Sequence, residues 1–414
     1  MRTATNSSPG RSALLIALML CAQPGLARTV SFADAVARVE AATPEAAAAA
    51  ARLEGARASE RMAGRLPDPS LFIDIENVGG NGTGGFDHSE LTVAARQPLE
   101  FGPRQSARRA QASAATRLAR AQGSADNRRL LTELARRYAA ADAAGRRRDL
   151  ARDQAELAAR LQQDAKRRLA AGLIPELEAQ RMAVAHAQAL MALAAAESEA
   201  RQSGAALARL LGMPEAEPDR GWLDSLALAT LPETRNPPAD ADLWEAKSRA
   251  ADADARAAVA EGKPSADMLL GVRRSYAAAE TTGVAGIGIG LPLWNGNRAA
   301  IARARAQALA ARHEAERDAR DATDAREAAA GWIAVESARL AMIRSAALPA
   351  AGRAMELSER GWRAGALAWA DLAHATESLF ETRAAEIASL EAIAIARARF
   401  WQLDGDTSVL GLGR

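Results

Sequence analysis

A single cysteine, Cys21, stands in 414 residues, so no disulfide can close within the chain. Aromatic residues make up only 4% of the sequence. That leaves few of the large side chains which supply much of the burial in an ordinary domain. Alanine fills the long segments instead, as suits helices that bring their backbones close together. Beyond the N-terminal stretch no apolar run reaches 18 residues, so no transmembrane helix is expected. An excess of charge is missing too, with Lys+Arg 53 against Asp+Glu 51.

The N-terminus has the pattern of a secretory signal over residues 1–27. Arg2 and Arg11 precede an apolar run, Ala13 to Leu20, and Gly25-Leu26-Ala27 supplies the small residues of a cleavage site. The run is too short for a membrane anchor. Leu20 before Cys21 argues against a lipidated N-terminus, which wants a small residue there. Cleavage after Ala27 removes two arginines and no acid, taking the formal charge from +2 to 0. The electrostatic footprint of a nucleic-acid partner is then absent. Export without a spanning helix leaves the periplasm, the outside or an outer-membrane β-barrel.

No catalytic arrangement stands out, and no cofactor motif. His88, His186, His313 and His374 are scattered, without metal-ligand spacing to Cys or to carboxylates, and read as helix-face or loop residues. The glycine-rich stretch Gly79 to Gly85 lacks the Gly-Lys-Ser/Thr ending of a phosphate cradle and reads as a hairpin loop.

What the chain does contain is one plan written twice. Leu91 to Ala95 alternates, Gln97-Pro98-Leu99-Glu100-Phe101-Gly102-Pro103 breaks the pattern, and a long helix opens at Arg104. Later, Ile287 to Leu291, Pro292-Leu293-Trp294-Asn295-Gly296-Asn297 and a helix from Arg298 repeat it. Pro98 and Pro292, Gly102 and Gly296, and Arg104 and Arg298 are each 194 residues apart. Such a fixed offset marks an internal repeat.

In chain order, Ser31 caps a short helix to Ala42. Thr43 and Pro44 open a second, stopped near Arg65 by Leu66-Pro67-Asp68-Pro69. Strands are predicted over 70–78 and 89–97. Leu71, Ile73 and Ile75 share one face of the first, with Asp74 and Glu76 on the other. Leu91, Val93 and Ala95 oppose Glu90, Thr92 and Arg96 in the second. A helix over 104–171 would span about 100 Å, turning at Gly172 into a shorter helix over 175–211. Its heptad-like stripes include Leu130, Leu134 and Tyr138, then Leu150, Leu157 and Leu161. Arg146-Arg147-Arg148-Asp149 reads as a solvated face. A Pro-rich connector with Trp222 covers 212–238. The second repeat, 239–414, then brings a helix over 239–261 and strands over 266–276 and 282–293. Long helices follow over 298–364 and 371–403, with jogs at Gly331, Pro349 and Gly352 and a turn at Gly365.

Four strands of membrane-crossing length, each apolar on one face and polar or glycine-rich on the other, suit a barrel wall. Gly286, Gly288 and Gly290 fall on the inner face of the last strand. Four strands cannot close alone, and lipid does not tolerate open edges. The chain must oligomerise: two copies give eight strands, three give twelve with room for a passage.

This order of elements after a signal peptide resembles the TolC family of outer-membrane efflux ducts. Leu66-Pro67-Asp68-Pro69, Ile75-Glu76-Asn77, Gln97 to Gly102 and Gly290 to Asn297 are similar to its heavy-metal, CzcC-like branch. The resemblance implies a mainly α protein with a small membrane β-barrel. Two repeats would give four strands and long helical hairpins per chain, assembled as a trimeric α/β barrel in outer-membrane lipid with a long periplasmic extension. It implies a periplasmic adaptor and an inner-membrane pump of the resistance-nodulation-division type as partners. It also places a narrowing at the helical turns. Glu178 and Asp371, repeated threefold, would make carboxylate rings there that favour cations. The bland alternative is an acid complementing a helix dipole, which is the preferred reading for Glu176. Gly172 and Gly365 are turn formers at that tip. Inside the barrel, Asp74, Glu76, Glu90, Arg96 and Arg273 would face water, unless the arginines pair with acids across strands. The function implied is a passive exit duct for divalent heavy metals. A drug duct of the same family, and a soluble periplasmic coiled-coil scaffold, are the alternatives.

Overall fold

The computed structural model describes residues 29–79, 85–100, 103–232, 237–293 and 297–411. The signal segment with Cys21, the loop glycines at 80, 82 and 84, and positions 101, 102 and 294–296 lie outside these residues.

The chain opens with a two-residue strand β1 (Thr29–Val30), then helices α1 (Phe32–Ala42) and α2 (Pro44–Ala63). Their starts are local chemistry. Ser31 Oγ accepts from Asp34 N at 3.1 Å and Thr43 Oγ1 from Ala46 N at 3.4 Å, with Pro44 at the first helical position. Strands β2 (Ser70–Glu76) and β3 (Glu90–Leu99) lead into α3 (Pro103–Ala170), a single helix of 68 residues. Helix α4 (Glu176–Leu211) returns beside it. Then follow β4 (Glu217–Pro218), α5 (Gly221–Leu228), α6 (Ala241–Glu261), β5 (Ser265–Ser275) and β6 (Glu280–Gly290). The chain continues as α7 (Arg298–Met342), α8 (Leu348–Arg363) and α9 (Trp369–Asp404).

The α3–α4 and α8–α9 turns are built alike. Gly172 and Gly365 have φ of 71° and 75°, which a side chain resists. Leu173 N donates to Arg168 O and Gly172 N to Leu169 O. Ala366 N and Gly365 N repeat the pattern on Gly361 O and Trp362 O. Both are the glycine stop in which two orphan carbonyls are satisfied.

Strands β2, β3, β5 and β6 form one antiparallel sheet in that order, so β2 and β6 are its edges. Strand β3 runs two residues past its expected end, through Pro98. The reason lies in the ladder. Tyr276 N donates to Ser89 O, so odd positions of β3 bond toward β5 and even ones toward β2. Pro98 is even, and β2 pairs only as far as Arg96. The missing N–H therefore falls where no partner strand stands.

A buried core sits at mid-length of α3. Tyr138 meets Trp222 edge-on at 5.0 Å, and Trp222 stacks on Phe32 at 4.3 Å. Tyr138 Oη donates to Val30 O at 2.7 Å and accepts from Asp219 N at 2.7 Å. Burial raises the Tyr138 phenol well above its ordinary value. Trp222 Nε1 donates to Leu410 O at 3.1 Å. The connector is thus part of the core: β4 pairs parallel to β1, and α5 buries Trp222, Leu223 and Leu226.

Two further expectations are corrected. Arg146 to Asp149 is not a solvated face. Arg146 bridges Asp142 and Asp224 at 2.9 Å each, Arg147 reaches Glu199 and Glu391, and Asp149 holds Arg220. Helices α4, α5 and α9 bring acids to this stretch, so the charges face partners across helices instead of water alone. The long helix after Arg298 is also not jogged at its glycines. It is interrupted by a π-helical turn, Ile343–Ala347, just before Pro349. A wider turn there relieves the proline's clash with the preceding carbonyls.

Candidate functional site

Directly opposed residues of an antiparallel ladder share a face, so the registers sort every strand side chain. Leu71, Ile73 and Ile75 of β2 oppose Ala95, Val93 and Leu91 of β3, which in turn oppose Leu270, Val272 and Arg274 of β5. Met268 and Ala266 extend that face to Ile287 and Ile289 of β6. It is apolar but for Gln97 and, at the loop end, Arg274 and Thr281. It is also bare: Leu71 is 71%, Ile287 74% and Ile289 66% exposed. A water-soluble chain rarely leaves so large an apolar patch uncovered.

The opposite face gathers all five residues predicted for it: Asp74, Glu76, Glu90, Arg96 and Arg273. Gly286, Gly288 and Gly290 lie there as well. Two charged rows cross it. Toward the loops, Arg273 reaches Glu76 at 3.3 Å, Glu90 at 3.1 Å and Thr92 Oγ1 at 3.0 Å. Toward the helices, Arg96 lies 3.5 Å from Asp267 and 5.2 Å from the centre of the Phe72 ring. Both arginines therefore take the cross-strand pairing that the sequence left open. Asp267 was not among the predicted residues, although strand alternation puts it on the face of Arg273. A Cβ at Gly288 would come within 2.7 Å of its carboxylate, so the glycine gives that group room. With Glu280, this face carries five acids and two arginines.

At the far end of the helices the four predicted tip residues sit at the two glycine stops. Glu178 lies half-buried in the first turn of α4 and Asp371 exposed in the first turn of α9. Asp371 Oδ2 accepts from Ala368 N at 3.1 Å, the geometry of an acid serving its own helix start. A contact not predicted joins the two hairpins. Arg168 donates to Trp362 O at 3.1 Å and Arg363 O at 2.7 Å, with its guanidinium 4.4 Å from the centre of the Trp362 ring. Leu157, Leu161, Met182, Phe380 and Trp362 pack beneath it. Arg168 sits one turn before Gly172, but its partners are far along the chain, and no local signal announces them.

Between sheet and tip, a network ties α3 and α5 to the π-helical turn and α9. Arg344 bonds Asp224 at 2.6 Å and Glu386 at 2.7 Å. Burial opposes ionisation of Asp224, but hydrogen bonds from Arg344 and Arg146 outweigh it and hold the carboxyl below its usual range. Asp149 is lowered likewise, against its burial, by Arg220 and Arg148. Asp142 is raised, because its burial outweighs Arg146. Among the described residues no three His, Cys, Asp or Glu side chains group as a metal site, and no helix is long and apolar enough to cross a membrane.

Known proteins resemble this chain in sequence and in fold. The chain is 27% identical over 345 residues to the cobalt-zinc-cadmium resistance protein CzcC of Cupriavidus metallidurans, covering 81% of this chain and 80% of that one. The fold matches CusC with TM-score 0.78 at 17% identity, over 92% of each chain. It matches VceC of Vibrio cholerae with TM-score 0.74 at 18% identity, over 92% and 96%. A membrane protein from Pseudomonas aeruginosa gives 0.77 at 18%, over 90% and 89%. At those identities the structural likeness establishes the fold. Residues 26–213 match the model for "outer membrane efflux protein". The chain carries an outer membrane efflux protein domain over residues 26–213, and as a whole it resembles the TolC family of outer-membrane efflux channels and its heavy-metal, CzcC-like branch.

Proposed function

We propose that three copies of this chain close their sheets into a twelve-strand outer-membrane barrel, continued by a periplasmic tube of helices. In this reading the assembly is the passive exit duct of a tripartite efflux system. A periplasmic adaptor and an inner-membrane pump of the resistance-nodulation-division type deliver the cargo, and the pump supplies the energy. The carrying observation is a sheet with two open edges and one bare apolar face, with no helix among the described residues long and apolar enough to cross a membrane. Lipid would cover the face and neighbouring copies the edges. A soluble scaffold has no use for either. Residues 28–211 and 239–414 act as two repeats of one wall unit.

The cargo proposed is divalent heavy-metal cations. The similarity to CzcC supports this, as does the acid excess on the polar face, which would line the lumen and favour cations. Weak contacts suit a conduit, since cargo must also leave. Glu178 and Asp371 would form carboxylate rings where the tip narrows. The test is tolerance of a deletion strain to zinc, cobalt, cadmium, nickel, copper and silver. Loss of tolerance to one or more is expected. Unchanged metal tolerance with lost drug tolerance would assign the duct to drugs or other small molecules.

A further inference from the structure

A groove of 950 Å³ runs where strands give way to helices, between α3, α6 and α7. Its floor is small and apolar: Ala107, Ala110, Val259, Ala308 and Leu309. Its rim is cationic, with Arg256, Lys263, Arg305 and Arg312. Arg312 is taken by Asp252, also on the lining, at 2.7 Å. Arg256 Nε donates only to the Asp252 carbonyl. Lys263 and Arg305 have no acidic partner among the described residues, and the undescribed positions 101, 102 and 294–296 hold no acid in sequence.

The groove's position fixes its setting. Lys263 stands two residues before β5, and Arg305 seven residues into α7, about 10 Å along the helix. Strand β5 has 11 residues, enough to cross the hydrocarbon core when tilted, so its end meets the headgroup layer. On α3, Arg108 turns to Glu100, which continues the even-numbered, polar positions of β3. Ser106, Ala107 and Ala110 lie round the helix from Arg108, on the side that continues the apolar face. Helix α7 breaks a local rule here as well. Its first turn holds Arg298 and no acid, although a helix start favours anions.

We infer that this groove binds an anionic glycerophospholipid of the helix-side leaflet, its phosphate on Lys263 and Arg305 and an acyl chain against Val259 and Leu309. Phosphate accepts charge-assisted hydrogen bonds from both side chains. The alanine floor leaves the space a chain needs. The site rests on the membrane reading of the sheet and adds a lipid specificity to it.

The test uses the full chain reconstituted in vesicles of phosphatidylcholine mixed equally with phosphatidylglycerol. Lipid carried through detergent extraction is then quantified. Wild type should retain phosphatidylglycerol over phosphatidylcholine by about 25-fold, with about fivefold lost per cation removed in K263Q and R305Q. Neutralising Arg52 and Arg57, far from the groove, should change nothing. Equal retention of the two lipids by wild type, or undiminished preference in K263Q/R305Q, overturns the site while insertion stands. Failure of wild type to enter the vesicles overturns the membrane reading and the site together.

Discussion

Exchanging one residue of β2 for arginine tests which face meets lipid. Ile73 is the middle residue of β2, 59% exposed on the apolar face, and Asp74 follows it on the polar face. In lipid, Ile73→Arg places a cation near the bilayer midplane, at a cost of about 2–4 kcal/mol, or roughly 30- to 1,000-fold in the folded fraction. In water the same change at an exposed position costs within about 0.5 kcal/mol and should improve solubility. Asp74→Arg is the control, since its side chain would face Thr92 with Glu76 and Glu90 nearby and stay hydrated. The assay is a urea titration of vesicle-inserted protein, read by the heat-modifiable gel mobility of folded barrels. Ile73→Arg should lose the folded band at markedly lower urea, with Asp74→Arg close to wild type. Equal midpoints for all three proteins, or the larger loss in Asp74→Arg, would refute the assignment of faces.

Three further outcomes follow from the helical part. Trp222→Ala should lower stability by about 3–5 kcal/mol, seen as a drop in melting temperature, because a buried ring stacked on Phe32 is removed. Asp149 and Asp224 have carboxyls held low in the fold, so their stabilisation is complete above the unfolded value near ~3.9 and is lost as pH falls below it. Raised Asp142 contributes with the opposite sign, gaining stability on protonation. Melting temperature should hold from neutral pH to about 5 and fall below about 4, with a smaller fall in Asp224→Asn. Arg168→Gln removes the guanidinium that joins the two hairpins at the tip, so proteolysis at the Gly172 and Gly365 turns should speed up while the heat-modifiable band stays as in wild type.

The sequence was most legible where periodicity and local chemistry decide structure. The caps at Ser31 and Thr43, the stops at Gly172 and Gly365, and the two faces of β2 and β3 are all set within a few residues. Alternation likewise put Arg96 and Arg273 on the face of Glu76 and Glu90. What stayed hidden depends on distant partners. Pro98 reads as a strand breaker until the ladder shows that its N–H has no counterpart. The run Arg146 to Asp149 reads as solvated until α4, α5 and α9 bring Glu199, Asp224 and Glu391 to it. Gly221–Leu228 reads as linker because eight residues carry too little periodicity to announce a helix. Arg168 finds Trp362 only because two hairpins of similar length end together.

A closed wall requires the free edges of β2 and β6 to be joined between copies. Cysteines placed at Ile73 and Ile287, on the two edge strands, in a chain with Cys21 replaced, test it after oxidation in the membrane. Disulfide-linked dimers and trimers are expected, ending in a closed ring of three. A product that is entirely monomeric, with β2 and β6 of one chain linked to each other, would contradict it.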